Sequence, residues 1–380
     1  MSNHFVLDYE TLSNAIVLCT EHYKEDIKQT FVIHELRDDS EALLAFLKDS
    51  EELGYFHITY NGLAFDSQIS EWLLRGGLDG ISGGENKAKA IYAKAQEIIT
   101  KSNNREFQEY PEWKMRIPQI DVFKVNHWDN PNKSSSLKWI QFAMDWDNVQ
   151  EMPISHTSKI TTMDEINIII SYCQNDVSST KKILGLSKPL IDVRKKVKAK
   201  YNLNCFSYSN TKLGSELLLK LYCELTGQKP YDVKKLGTKR NGIKIKEILF
   251  DYIKFQSSEL QTFLKMLKTK VIVNTKKDFT HTLKWKGSVF YYGAGGIHQC
   301  IKPGIYESNN ELIIKDIDVS SLYPSIACVN KMYPAHLGKE FFQVYKEDIV
   351  DVRLAEKKKL VDKDISIIEG FKEAANASYG

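Results

Sequence analysis

The stretch DVSSLYPS, Asp318 to Ser325, decides how this chain is read. It follows an apolar run, Leu312, Ile313, Ile314 and Ile317, whose branched residues resemble those of a buried strand, so Asp318 is expected at a strand end. Beyond it come a small hydroxyl residue, an apolar residue, an aromatic ring and a proline that turns the chain. A carboxylate held at a strand end beside a tight turn is well placed to hold a divalent cation over a phosphate.

Upstream, acidic residues recur in an order that suits phosphodiester chemistry. Asp8 and Glu10, in DYET, close a short opening strand, His4 to Leu7, and project to one side of it. Asp66 closes NGLAFD, with Asn61 and Phe65 just before it. Tyr172 and Asp176, in YCQND, lie one turn apart on the helix expected from Met163 to Ile183. Two divalent cations held about 3.5–4 Å apart need several carboxylates, because hard cations take oxygen ligands. Further helices are expected after Asp66, from Asn86 to Thr100 and as a basic run from Lys188 to Lys200. Alternation of strands and helices here argues an α/β domain.

Composition narrows the classes. At 380 residues the chain has room for two or three domains, and 42% hydrophobic with 27% charged residues is the balance of a globular protein. Six scattered cysteines without a CxxC pair suggest neither a zinc site nor a disulfide framework, and a reducing, cytoplasmic setting is expected. No signal peptide or membrane segment is expected. The net charge of +3 conceals an asymmetry: residues 1–180 carry −12 and residues 181–380 carry +15, which favours phosphate backbones as partners of the second half.

DVSSLYPS resembles the first palm motif, DxxSLYPS, of the family B DNA polymerases, matching at Asp318, Ser321, Leu322, Tyr323, Pro324 and Ser325. The three acidic strings resemble the exonuclease motifs DxE, NxxxFD and YxxxD of proofreading members, in the same order. KEAANASYG, from Lys372 to Gly380, resembles the fingers motif KxxxNSxYG, with Ala377 where serine is usual. The resemblance implies a ribonuclease-H-like DEDDy exonuclease domain over 1–200. It implies a linker and the first part of a palm over 201–333, then a helical-hairpin fingers segment over 334–380.

It also implies roles. Asp8, Glu10, Asp66 and Asp176 would hold two Mg²⁺ or Mn²⁺ ions, and Tyr172 would orient the attacking water. Asn61 and Phe65 would hold a frayed 3′ end, with Lys138 near the scissile phosphate. Asp318 would hold the polymerase metals. Ser321, Leu322, Tyr323, Arg353, Lys357, Lys372, Asn376 and Tyr379 would bind the deoxynucleoside triphosphate. Tyr292, Gly295 and Gly296, in a glycine-rich loop, would meet the template strand.

Family B polymerases use a further palm motif, YxDTDS, and no such string occurs here. One carboxylate does not replace two in a two-metal site. Polymerisation is therefore expected only with a second chain supplying the rest of palm and thumb, whereas 3′→5′ exonuclease activity is expected of this phage-type chain itself, in a host cell cytoplasm if viral. The alternative is a non-catalytic DNA-binding subunit or an inactive fragment. Single-stranded 3′ ends and primer–template DNA are the expected partners.

Overall fold

The computed structural model describes residues 4–377 apart from 131, 133, 274–279, 294 and 295, and divides the chain into two units. Residues 1–227 with 343–380 form the first, and 228–342 the second. Boundaries near 200 and 333 were expected. The break falls instead after α8, where Gly227 ends the helix in the left-handed conformation that glycine adopts without strain.

The first unit is built on a six-stranded mixed sheet of β1 (His4–Leu12), β2 (Ala15–His22), β3 (Lys28–His34), β4 (Arg37–Asp38), β5 (Phe56–Thr59) and β6 (Gln119–Asp121). Their order is β4-β3-β2-β1-β5-β6. The first four are antiparallel neighbours, whereas β5 lies parallel to β1 and β6 parallel to β5. β1 is thus interior to the sheet, and its side chains alternate between two cores. Val6 and Leu12 enter one core, and Phe5, Leu7 and Tyr9 the other.

Helices α1 (Ser40–Glu52), α2 (Asp66–Leu74) and α3 (Gly84–Asn103) cover the Phe5 side. The Val6 side receives α4 (Val122–Val125), α5 (Leu137–Ala143) and the long α6 (Met163–Leu186). α6 starts where Thr162 and Glu165 cap each other reciprocally. Its buried stripe, Ile166, Ile169, Tyr172, Cys173, Asp176, Val177, Thr180 and Ile183, has helical spacing and faces β1 and β2.

α7 (Lys188–Tyr201) and α8 (Asn210–Thr226) follow. Against them pack a π-helical stretch, Val344–Asp351, with α14 (Val352–Lys358) and α15 (Ile365–Ala377). α8 and α15 touch closely at Gly214, where a β-carbon would collide with the backbone of Glu373 and Ala374. Gly214→Ala is expected to cost ~1–3 kcal/mol, since backbone cannot yield as a side chain can. Equilibrium urea denaturation checks this.

The second unit has short α9 (Pro230–Val233), α10 (Ile245–Ile248), α11 (Ser258–Lys268), α12 (Leu322–Val329) and α13 (Gly338–Gln343), the last reaching the unit boundary. A two-stranded ladder joins β7 (Ile243–Lys244) to β8 (Val271–Ile272). β9 (Thr280–Trp285), β10 (Ser288–Gly293) and β11 (Gly296–Cys300) form an antiparallel meander. Phe263 of α11 stacks on it against His281 and Tyr292.

The strand expected before Asp318 is absent. Residues 301–319 form neither strand nor helix, and Ile317 is 80% exposed. An apolar run becomes a strand only when a neighbouring edge accepts its backbone hydrogen bonds, and no described strand pairs with it.

Candidate metal centre and its surroundings

Asp8 and Glu10 point from β1 toward α6, as alternation requires, and Asp176 meets them from that helix. One carboxylate oxygen from each of Asp8, Glu10 and Asp176 lies within 4.8 Å of the others. Asp66 approaches from the first turn of α2, its Oδ1 accepting the Tyr9 backbone N–H at 3.0 Å. Tyr172 lies one turn before Asp176 on the buried side of α6.

Sequence spacing alone did not reveal how Asp66 is placed. Asn61 sits in the left-handed region with φ 64° and starts a 3-10 turn over Gly62–Ala64. The buried carboxylate of Asp121, at the end of β6, anchors that turn, accepting the N–H of Asn61 at 3.0 Å and of Leu63 at 3.2 Å. Asp121 also caps α4 through the N–H groups of Phe123 and Lys124. The only sequence signal for it was an acid closing the short run Ile117 to Ile120. Phe65 is half-buried against the Phe5-side core.

Lys138, expected only near a phosphate, instead donates to both oxygens of Asp176, at 2.8 and 2.9 Å. Its ammonium lies 4.3 Å from the centre of the Tyr172 ring. Cys173 sends its thiol to the carbonyl of Asp8 at 3.2 Å. Gln141 is fully buried and donates to Asp176 at 2.8 Å, a contact that sequence reasoning missed although it lies one turn after Lys138 on α5.

Four acids with one nearby cation repel one another. Burial, then Glu10, Asp66 and Asp176, holds Asp8 well above the usual carboxylate range. Burial with Asp176 and Asp66 pushes Glu10 up to about 8, against the opposing pull of Lys138. Asp66 rises to about 7, mainly through burial. The phenol of Tyr172 is raised by burial and by Asp176, Glu10 and Asp8, so it stays protonated.

These groups bind protons more tightly folded than unfolded. Their stabilising contribution is therefore full below about pH 4 and is lost as pH rises through about 7–8. In EDTA the melting temperature is expected to fall from pH 5 to pH 8.5, and millimolar Mg²⁺ is expected to flatten that slope. Differential scanning fluorimetry across this range is the check. The oxygen-only donor set fits a hard divalent cation such as Mg²⁺ or Mn²⁺ and does not resemble a zinc site.

The residues expected to handle nucleotide divide between the units. In the second, Asp318 is exposed, Ser321 has φ 55° before α12, and Leu322 and Tyr323 are exposed at its start. Tyr292 packs on Phe263, and a β-carbon on Gly296 would lie 3.7 Å from the Tyr323 hydroxyl, so the meander and α12 meet there. In the first unit Lys372 and Asn376 are exposed on α15.

Arg353 and Lys357, both expected to reach a triphosphate, are placed differently. Arg353 is buried and donates to the carbonyl of Ile368 at 2.9 Å, tying α14 to α15, while Lys357 is exposed. A guanidinium can cap a neighbouring helix carbonyl and leave water only when such an acceptor is in reach. Gly295 and Tyr379 lie outside the described residues.

Among the described residues, no helix is long and apolar enough to cross a membrane. No family model, curated protein or solved structure matches this chain.

Proposed function

We propose that the first unit is a metal-dependent 3′→5′ exodeoxyribonuclease with a ribonuclease-H-like sheet, and that the chain is the N-terminal part of a phage-type family B DNA polymerase. The observation that carries the reading is the meeting of Asp8, Glu10 and Asp176 within 4.8 Å, with Asp66 bonded to the same strand. The motif order and a mixed sheet with β1 in its interior support it as well.

In this reading Asp8, Glu10 and Asp176 would hold one divalent cation, and Asp66 would serve a second. The bound ions supply water activation and charge neutralisation at the phosphate. Tyr172, kept protonated by its acidic neighbours, offers a hydroxyl hydrogen bond to orient the attacking water. In this reading Asn61 and Phe65, at the turn that carries Asp66, would receive the 3′-terminal base by hydrogen bonding and stacking. For the second unit the proposal extends to nucleotide handling by Asp318 and Tyr323 within a complete palm.

The test uses single-stranded DNA labelled at its 5′ end, with Mg²⁺ or Mn²⁺. Shortening from the 3′ end, abolished by EDTA and by Asp66→Asn, is expected. Degradation no faster than that variant's background would overturn the proposal.

A further inference from the structure

We propose that α5 sets the metal affinity of the carboxylate cluster through Asp176, with Gln141 as its positioning residue and Lys138 as a competitor that an arriving cation displaces. This rests on the reading of the cluster as a metal site.

Gln141 and Lys138 are three residues apart on α5, so they share a face, and both reach Asp176. The Gln141 amide nitrogen donates to Asp176 Oδ1 at 2.8 Å and to Ser179 Oγ at 2.8 Å. The Ser179 hydroxyl in turn donates to the backbone carbonyl of Asp176 at 2.9 Å. A closed ring results: carboxylate, amide, hydroxyl and carbonyl, all belonging to or touching one residue. It fixes the amide orientation, because a carboxylate only accepts, and it fixes which lone pairs of Asp176 remain for a cation.

Packing alone does not account for Gln141. It is 0% exposed, and its Oε1 has no partner among the described residues. A buried bare acceptor is a cost that a leucine of similar size would avoid. What the amide provides is orientation of a ligating carboxylate, the role that outer hydrogen bonds play around metal ligands. Lys138 acts in the opposite sense. Its ammonium takes both oxygens of Asp176, and a cation that is to use either oxygen must weaken that pair.

The two residues therefore predict opposite changes in affinity. Mn²⁺ is titrated into the full chain without DNA, and free Mn²⁺ is read by electron paramagnetic resonance. Gln141→Leu is expected to weaken Mn²⁺ binding about 10–100-fold. Lys138→Met is expected to tighten it about 3–10-fold, since an ion pair competes no longer. Ser179→Ala, a smaller change used as a second variant, is expected to weaken binding about 3-fold or more.

Unchanged affinity in Gln141→Leu or Ser179→Ala overturns the positioning role, and unchanged or weaker binding in Lys138→Met overturns the competition. Asp8→Asn separates the two levels of the argument. If it binds Mn²⁺ as the natural chain does, the metal reading itself fails. If it loses Mn²⁺ while the α5 variants behave as the natural chain, only the role of α5 fails.

Discussion

If the proposed 3′→5′ exonuclease reading holds, Asp8→Asn is expected to lower that activity by at least about a thousandfold and, in EDTA, to raise the melting temperature. The first effect follows from removing a ligand at the centre of the cluster. Loss of ~4 kcal/mol of transition-state charge stabilisation corresponds to that factor. The second follows because burial, then the charges of Glu10, Asp66 and Asp176, raises Asp8. A neutral amide of the same shape relieves that repulsion, by about 1–3 kcal/mol or a few degrees in a unit of this size. The two effects are read by single-turnover hydrolysis and by thermal melts in EDTA. An activity loss accompanied by a lower melting temperature would mean that Asp8 has a structural role instead.

Arg194→Ala is expected to lower stability by roughly 3–5 kcal/mol, through loss of a buried hydrogen-bonded charge together with its packing. Arg194 on α7 is 0% exposed. Its guanidinium donates to the carbonyl of Tyr208 through two nitrogens at 2.9 and 2.5 Å, to that of Leu190 at 2.8 Å and to the side chain of Asn210 at 2.9 Å. These bonds hold the connection from α7 to α8. Burial lowers its pKa to about 10, so it stays charged at neutral pH. Truncation removes both side-chain donors from the Tyr208 carbonyl and opens a cavity near Val193 and Val197. Lysine is expected to recover little, because one ammonium cannot reproduce the planar fork. Denaturant unfolding of the two variants gives the comparison.

Much of the candidate centre was legible along the chain. Asp8 and Glu10 alternate on a strand, and Tyr172 and Asp176 repeat on a helix, so their shared faces follow from backbone period alone. The long α6 was legible for the same reason, its apolar stripe recurring at helical spacing from Ile166 to Ile183. Asp66 could be named but not placed, since its position depends on a turn tied to Asp121, 55 residues later.

Other readings failed where pattern and environment part. The isoleucines before Asp318 look like a strand, yet they pair with no described edge and remain exposed. Arg353 was expected to reach a triphosphate, and its bond to the carbonyl of Ile368 holds it inside. In each case the residue type was right for the expectation, and the partner decided otherwise.

By itself the sequence determined which carboxylates share a face, because strand and helix periods are local properties of the backbone. It also determined the ordering of acidic motifs and the basic character of the second half. Only the tertiary structure decided that Asp8, Glu10 and Asp176 meet within 4.8 Å, that α5 grips Asp176 through Lys138 and Gln141, and that Asp318 stands on exposed coil. Those outcomes depend on contacts between residues tens to more than a hundred positions apart. Charge repulsion, burial and competing hydrogen bonds act through distance in space, which no local period encodes.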